Sequence, residues 1–557
     1  MQETRVAKKD FITSMAQESE AYRDLERIEL LLEDPQGDLS VVPVQPLYMA
    51  TLNCPAERLG ELLPRLSSEQ RQLCLDIDLW DKDELDIEGF SRWLSAYTSC
   101  TEDAVRLEFM KSSELILFLK AKFHIWTFDA EDPQYPESDN YFLTEDNQLL
   151  FEYEADFPFV DEVQSLIKDL YTFEGVENAY SFLFKLVADS FLVQQEEEYQ
   201  LKKERLRDIG VVDYYEALEL LQPYASRELM DASIRRKGRE TGVIDAFSQN
   251  QVLPEKALAP YRDRLARFAE EMDKITEEKR AKFVQFSFLR LVNSTTVASG
   301  SLKEGSMALV RAQGRARALL ELGLEYLVHV SLPRKDIALA ENESLFELFD
   351  FVDIHRIGQT LVGNIQKRLK RALRDSGLSD HKGESFLGRI LGDFYDQIME
   401  DVPKVLKEDG AAAKEVRTLQ DFKQVEDFAE TFIGLCPFVG KLFVTLHTLK
   451  TSGRLQDDFY LNYTVEEIDF EAIIISSFAN FAIGNKADDK GEKLGISIDE
   501  LRRFTALVLD EEARLKSDDK TNALVTSFLD SYGLAKVTGM PELLMKMVRD
   551  QLEGYEY

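Results

Sequence analysis

Between His124 and Ile167 the chain has no lysine or arginine, yet it holds Asp129, Glu131, Asp132, Glu137, Asp139, Glu145, Asp146, Glu152, Glu154, Asp156, Asp161 and Glu162. Aromatic rings run through the same stretch: Trp126, Phe128, Tyr135, Tyr141, Phe142, Phe151, Tyr153, Phe157 and Phe159. Carboxylates at this density suit two kinds of chemistry. They can meet a basic partner, with charge guiding the encounter more than setting the affinity, or they can offer hard oxygen ligands to calcium or magnesium. Glu145, Asp146, Glu152 and Glu154 are the candidate partner-binding acids, and Asp139, Glu145 and Asp146, which flank an expected turn, are the cation candidates. The calcium-loop pattern DxDxDG is absent, so the expectation is a solvated acidic face, with no resident metal and no cofactor.

A basic counterpart follows later. Lys367, Arg368, Lys370, Arg371 and Arg374 crowd the end of a helix whose other face carries Ile354, Ile357, Leu361, Ile365, Leu369 and Leu373. A helix C-terminus favours cations, and Arg368 and Arg371 are the partner-binding candidates there. The plainer reading is pairing with acidic surface of the same chain.

Catalytic signatures fail. There is no GxGxxG, HExxH or GxSxG pattern. Gly434 to Leu442 (GLCPFVGKL) has five residues between its glycines and Leu442 where a phosphate loop needs Ser or Thr. None of His124, His329, His355, His381 and His447 has another histidine three to five residues away. An enzyme would have to assemble its site from distant residues, with the acidic stretch and His355 or Arg356 as candidates. Cys54, Cys74, Cys100 and Cys436 form no CxxC pair and read as reduced thiols.

The bulk numbers set limits on function. A 557-residue chain exceeds the size of one core and should form several domains. A net charge of -36 opposes sustained binding to a nucleic-acid backbone. The N-terminal residues lack the apolar core of a signal peptide, and no apolar run reaches the ~20 residues of a membrane span. The expectation is a cytoplasmic protein.

The elements that must position these groups are mostly helices. Residues 1–120 read as short helices in a superhelical stack, with an amphipathic helix over Glu18 to Glu33. Ser67 and Ser68 before Glu69, and Thr101 before Glu102, read as N-cap signals. Residues 121–222 read as the acidic aromatic module. Phe123–Phe128, Tyr141–Leu143 and Leu149–Tyr153 alternate as strands, with a turn at Asp146-Asn147, and helices follow. Glu198 and Lys202 have the spacing of a helix ion pair. Residues 223–260 read as a linker, 261–417 as a helical domain opening with a short helix pair, and 418–557 as a C-terminal helical domain with a loop at Lys486 to Lys493. The fold class is therefore mainly α, in several domains, with a hairpin or small sheet near residues 123–154.

Three segments carry a family resemblance: FHIWTFDAEDPQYPESDNYFLTEDNQLLFEYEADFPFVDEV, AYSFLFKLVADSFLVQQEEEYQLKKERLRDIGVVDYYEALELLQP and LFELFDFVDIHRIGQTLVGNIQKRLKRAL. With LSSEQRQLCLDIDLWDKDEL they resemble the uncharacterised bacterial family called domain of unknown function 6178. That resemblance implies no activity and transfers no site residue. ERLGELLPRLSSEQRQLCLDIDL is also similar to the cytoplasmic superhelix of MgtE-type magnesium transporters, though the chain lacks their transmembrane part and any CBS-domain pair.

The functional expectation is a scaffold or regulatory protein that acts through contacts with protein partners, with self-association through apolar helix faces as a further expectation. The alternatives are an enzyme built from sequence-distant residues and a divalent-cation sensor using the acidic module.

Overall fold

The computed structural model describes residues 28–239, 266–378, 387–405, 414–452, 469–485, 495–510, 514–516 and 518–552, apart from positions 43, 130, 189, 305 and 341. The protein is mainly helical, with small antiparallel sheets. It divides into two compact units, one of residues 1–222, 240–316 and 339–353, the other of residues 223–239, 317–338 and 354–557. Most of the expected Glu18 helix, the 240–260 half of the expected linker, His381 and the Lys486 loop lie outside the described residues; residues 28–33 are helical.

After the helical residues 28–33 the first unit runs through six short helices: α1 (Val44–Thr51), α2 (Ala56–Leu62), α3 (Ser68–Asp78), α4 (Phe90–Ser99), α5 (Asp103–Met110) and α6 (Ser113–Lys122). Their apolar positions bury Tyr48, Phe90, Trp93, Tyr97, Phe109 and Phe118, and Tyr97 stacks on Phe109 at 3.9 Å. A Cβ on Gly60 would come within 2.6 Å of the Ala96 carbonyl, so glycine is what lets α2 and α4 close on each other. Ser67 caps α3 in a capping box: its hydroxyl accepts from the Gln70 amide and the Gln70 side chain accepts from the Ser67 amide. Thr101 caps nothing. Glu102 holds the N-cap position of α5 without a side-chain bond, and the first-turn acid Asp103 faces the helix dipole instead.

A hairpin of β1 (Trp80–Asp81) and β2 (Glu84–Leu85) joins α3 to α4. The larger sheet follows α6, from β3 (Phe123–Thr127), β4 (Tyr141–Leu143) and β5 (Leu149–Tyr153), in the order β3-β5-β4, all antiparallel. Asn147 sits at φ +58° in the turn between β4 and β5, a conformation its side chain tolerates. The strands fall where the alternating residues place them. Helices α7 (Val160–Glu174), α8 (Val176–Leu183), α9 (Lys185–Ala188), α10 (Phe191–Asp208) and α11 (Tyr214–Leu220) complete this stretch, and α10 lies on α3 and α6. Further on, α13 (Ala266–Asp273) and α14 (Glu278–Ala298) form the short helix pair expected from the broken apolar stripe.

In the second unit α12 (Arg227–Lys237) occupies part of the expected linker. Helices α15 (Ser306–Tyr326) and α16 (Phe351–Asp375) cross at glycines: a Cβ on Gly323 would stand 2.0 Å from the Ile354 carbonyl, and one on Gly358 2.1 Å from that of Leu319. The six aliphatic residues read as one face of α16 are all buried. Then come α17 (Gly388–Met399), the β6–β7 pair (Lys404–Val405 with Lys414–Glu415), α18 (Leu419–Thr451), α19 (Phe470–Ala482), α20 (Ile498–Val508), α21 (Asp519–Ser531) and α22 (Met540–Leu552). Phe478 packs edge-to-face against Phe504 and Phe528 at their centre. No described helix is long and apolar enough to cross a membrane.

Candidate functional site

The pleat of the β3–β5–β4 sheet sorts its side chains. Phe123, Phe142, Phe151 and Tyr153 share the inner face and meet edge-on or stacked at 5.0–6.5 Å with Phe157 behind them. The outer face carries the row His124, Glu152, Tyr141 and the row Trp126, Leu150, Leu143. Leu150 is fully buried yet stands apart from the main core, so the outer face has an apolar patch of its own. Rings of the following segment form a chain, Phe128 to Tyr135 at 5.3 Å and Tyr135 to Tyr141 of the outer face at 5.7 Å, with Tyr135 55% exposed.

Acids lie in the turns and segments that flank these strands. Asp129, Glu131, Asp132, Glu137, Asp139, Glu145, Glu154 and Asp156 are exposed, and among the described residues none pairs with a lysine or arginine. Glu152 is half-buried beside His124, with Nδ1 to carboxylate 3.6 Å. Asp146 differs from its neighbours. Its carboxylate accepts from the Thr144 hydroxyl at 2.7 Å and the Gln148 amide at 3.1 Å, so it braces the turn. Asp139, Glu145 and Asp146 do not converge into a group able to share one ion.

On α16, Arg368 pairs with Glu430 of α18, and Arg371 and Arg374 reach Asp375. The basic turn is thus partly answered within its own unit. Gly434–Leu442 lies mid-helix in α18, with Pro437 inside it, and no phosphate loop exists there. His355 is buried with Nδ1 unpartnered, and burial pushes it down to about 3, so it stays neutral. Its neighbour Arg356 lies over the Tyr224 ring at 4.9 Å. Cys54, Cys74, Cys100 and Cys436 form no disulfide.

A second acidic group is one that spacing did not reveal. Asp76 of α3, Glu114 of α6 and Glu198 of α10 each bring one carboxylate oxygen within 4.8 Å of the others, and all three are buried. Arg205 of α10 lies among them. Its Nε and Nη2 both bond Asp76 at 2.7 Å, and Nη2 also bonds Glu198 at 2.5 Å and stands 3.7 Å from Glu114. The guanidinium therefore holds the place a cation would take. Gln72 donates to Glu114 at 2.8 Å. Burial, then the charges of Asp76 and Glu198, push Glu114 up to about 8. Lys202 turns away: its Nζ donates to the Lys82 carbonyl at 3.0 Å over the Trp80 ring, and burial pushes it down to about 8. The expected Glu198–Lys202 helix pair does not form, because Arg205, two turns along the same face, gives Glu198 a bond that also anchors Asp76. The signal available in sequence was Asp76 within the apolar run LCLDIDL, where an unpaired carboxylate would be costly.

No curated protein and no solved structure matches this chain, so the similarity to the MgtE superhelix gains no support. A family model described as "Family of unknown function (DUF6178)" matches residues 12–554, and the chain belongs to that family.

Proposed function

We propose that this protein is a cytoplasmic scaffold or regulatory protein, and that the outer face of its β3–β5–β4 sheet docks a protein partner presenting basic side chains around an apolar group. The observation that carries this reading is the set of exposed carboxylates flanking the sheet, Asp139, Glu145 and Glu154 among them, none paired with a lysine or arginine among the described residues, in the same stretch as an outer-face apolar patch and the half-exposed Tyr135. Like charges crowded together repel one another, so a solvated acidic rim is not a device for stability; it raises the rate at which an oppositely charged surface arrives. The aromatic centre supplies the kind of residue that dominates binding energy at interfaces.

The test is recovery of partners from the native cell with the wild-type chain and with Glu145→Lys/Glu152→Lys/Glu154→Lys, after showing that both melt at the same temperature. Loss of specific co-purifying proteins from the variant supports docking at this face. The same proteins recovered in the same yield would remove it.

A further inference from the structure

We infer that Glu114 is held as the neutral acid within the Asp76–Glu198–Arg205 cluster, so that seating α10 on α3 and α6 takes up one proton. The geometry shows why. One guanidinium satisfies both oxygens of Asp76 and one of Glu198. Glu114 stands 3.7 Å from it, beyond hydrogen-bond reach. Its Oε1 receives Gln72, while Oε2, on a side chain with no exposed surface, has no hydrogen-bond partner, and only the weaker pulls of its own amide and of Arg205 favour the anion. A carboxylate anion calls for donors at both oxygens, and burying one bare is far costlier than burying the acid.

The other charges around α6 do not supply the missing donor. Arg71 of α3 is engaged by Glu108 of α5, Lys202 of α10 by the Lys82 carbonyl, and Lys185 of α9 lies over Phe182. Glu84 of β2 and His124 of β3 are exposed. A divalent ion among the three acids would have to expel Arg205 from bonds it already makes.

The sign follows from linkage. A carboxyl held above its ordinary range adds stability in full below pH 4.5. That contribution is lost as pH rises to about 8, where the folded form also ionises. Across that window the folding constant of the wild type should fall about tenfold per pH unit relative to Glu114→Gln, which has no proton to gain, and the two should run parallel above it. Denaturant unfolding of the full chain from pH 5 to 9.5 reads this directly. Parallel curves throughout, or a variant whose disadvantage grows with pH, would overturn it.

Infrared spectra of the wild-type chain give a second readout that needs no folded Glu114 variant. A carbonyl band of a buried carboxylic acid should persist at neutral pH, and persist in Asp469→Asn/Glu471→Gln, which removes two further buried acids that burial raises. Its absence there contradicts the inference, as does a rise in melting temperature with magnesium or manganese that Glu114→Gln abolishes.

Discussion

Beside the strands of the β3–β5–β4 sheet, Glu145, Glu154 and Asp156 are exposed and, among the described residues, pair with no lysine or arginine, whereas Asp76 and Glu114, on helices of the same unit, have no exposed side-chain surface, Asp76 bonded by the Arg205 guanidinium and Glu114 left 3.7 Å from it. The carboxyl chemistry is the same and the consequences are opposite. In water a carboxylate costs nothing to ionise and contributes little to stability, so it is free to meet something else. Away from water it must be paired or neutral, and the chain answers with both, Arg205 for Asp76 and Glu198 and a proton for Glu114. A net charge of -36 therefore does not describe one surface property; it mixes acids that face outward with acids that hold helices together.

The sharpest way to break this contrast is to remove the shared cation. Arg205→Met leaves the buried carboxylates of Asp76 and Glu198 without their partner and should cost about 3–5 kcal/mol, measured by denaturant unfolding. A cost below about 1 kcal/mol would mean the cluster is not the anchor of α10. The inner face of the sheet should be nearly as sensitive. Phe151, fully buried and edge-on to Phe123, should lose about 3–5 kcal/mol on change to alanine, which would show that the outward acids ride on a rigid platform. Ser67→Ala, which removes the cap of the helix bearing Asp76, should cost about 1 kcal/mol in the same assay. Neutralising the outer acids should do least: Asp139→Asn/Glu145→Gln should leave the melting temperature within about 2 °C, and so should millimolar calcium or magnesium added to the wild type. A clear rise with either ion would favour a cation sensor over a docking face.

How much of this was legible in the sequence depends on where each feature keeps its information. Phe151 and Tyr153 alternate with Glu152 and Glu154, and Asp146-Asn147 supplies turn chemistry, so the strands can be read from a dozen neighbouring residues. The buried face of α16 is equally local, because its aliphatic residues recur every three or four positions. The cluster is not local. Arg205 meets Asp76 across 129 positions, and apart from Asp76 in its apolar run each member alone looks like ordinary helix-surface charge. Glu198 and Lys202 show how local rules mislead here: their spacing suits an ion pair, but a tertiary partner takes Glu198 and a backbone carbonyl takes Lys202. Asp146 is a milder case, an acid within the outward-facing stretch that serves its own turn.

The docking face can be tested where it is most exposed. A photo-crosslinking residue placed at Tyr135, whose ring meets Tyr141 of the outer face, should capture a discrete partner in the native cell, while the same residue at Leu507, exposed on α20 in the other unit, should capture none. Equal capture at both positions, or none at Tyr135 while the chain still co-purifies with its partners, would contradict a role for the acidic sheet in binding.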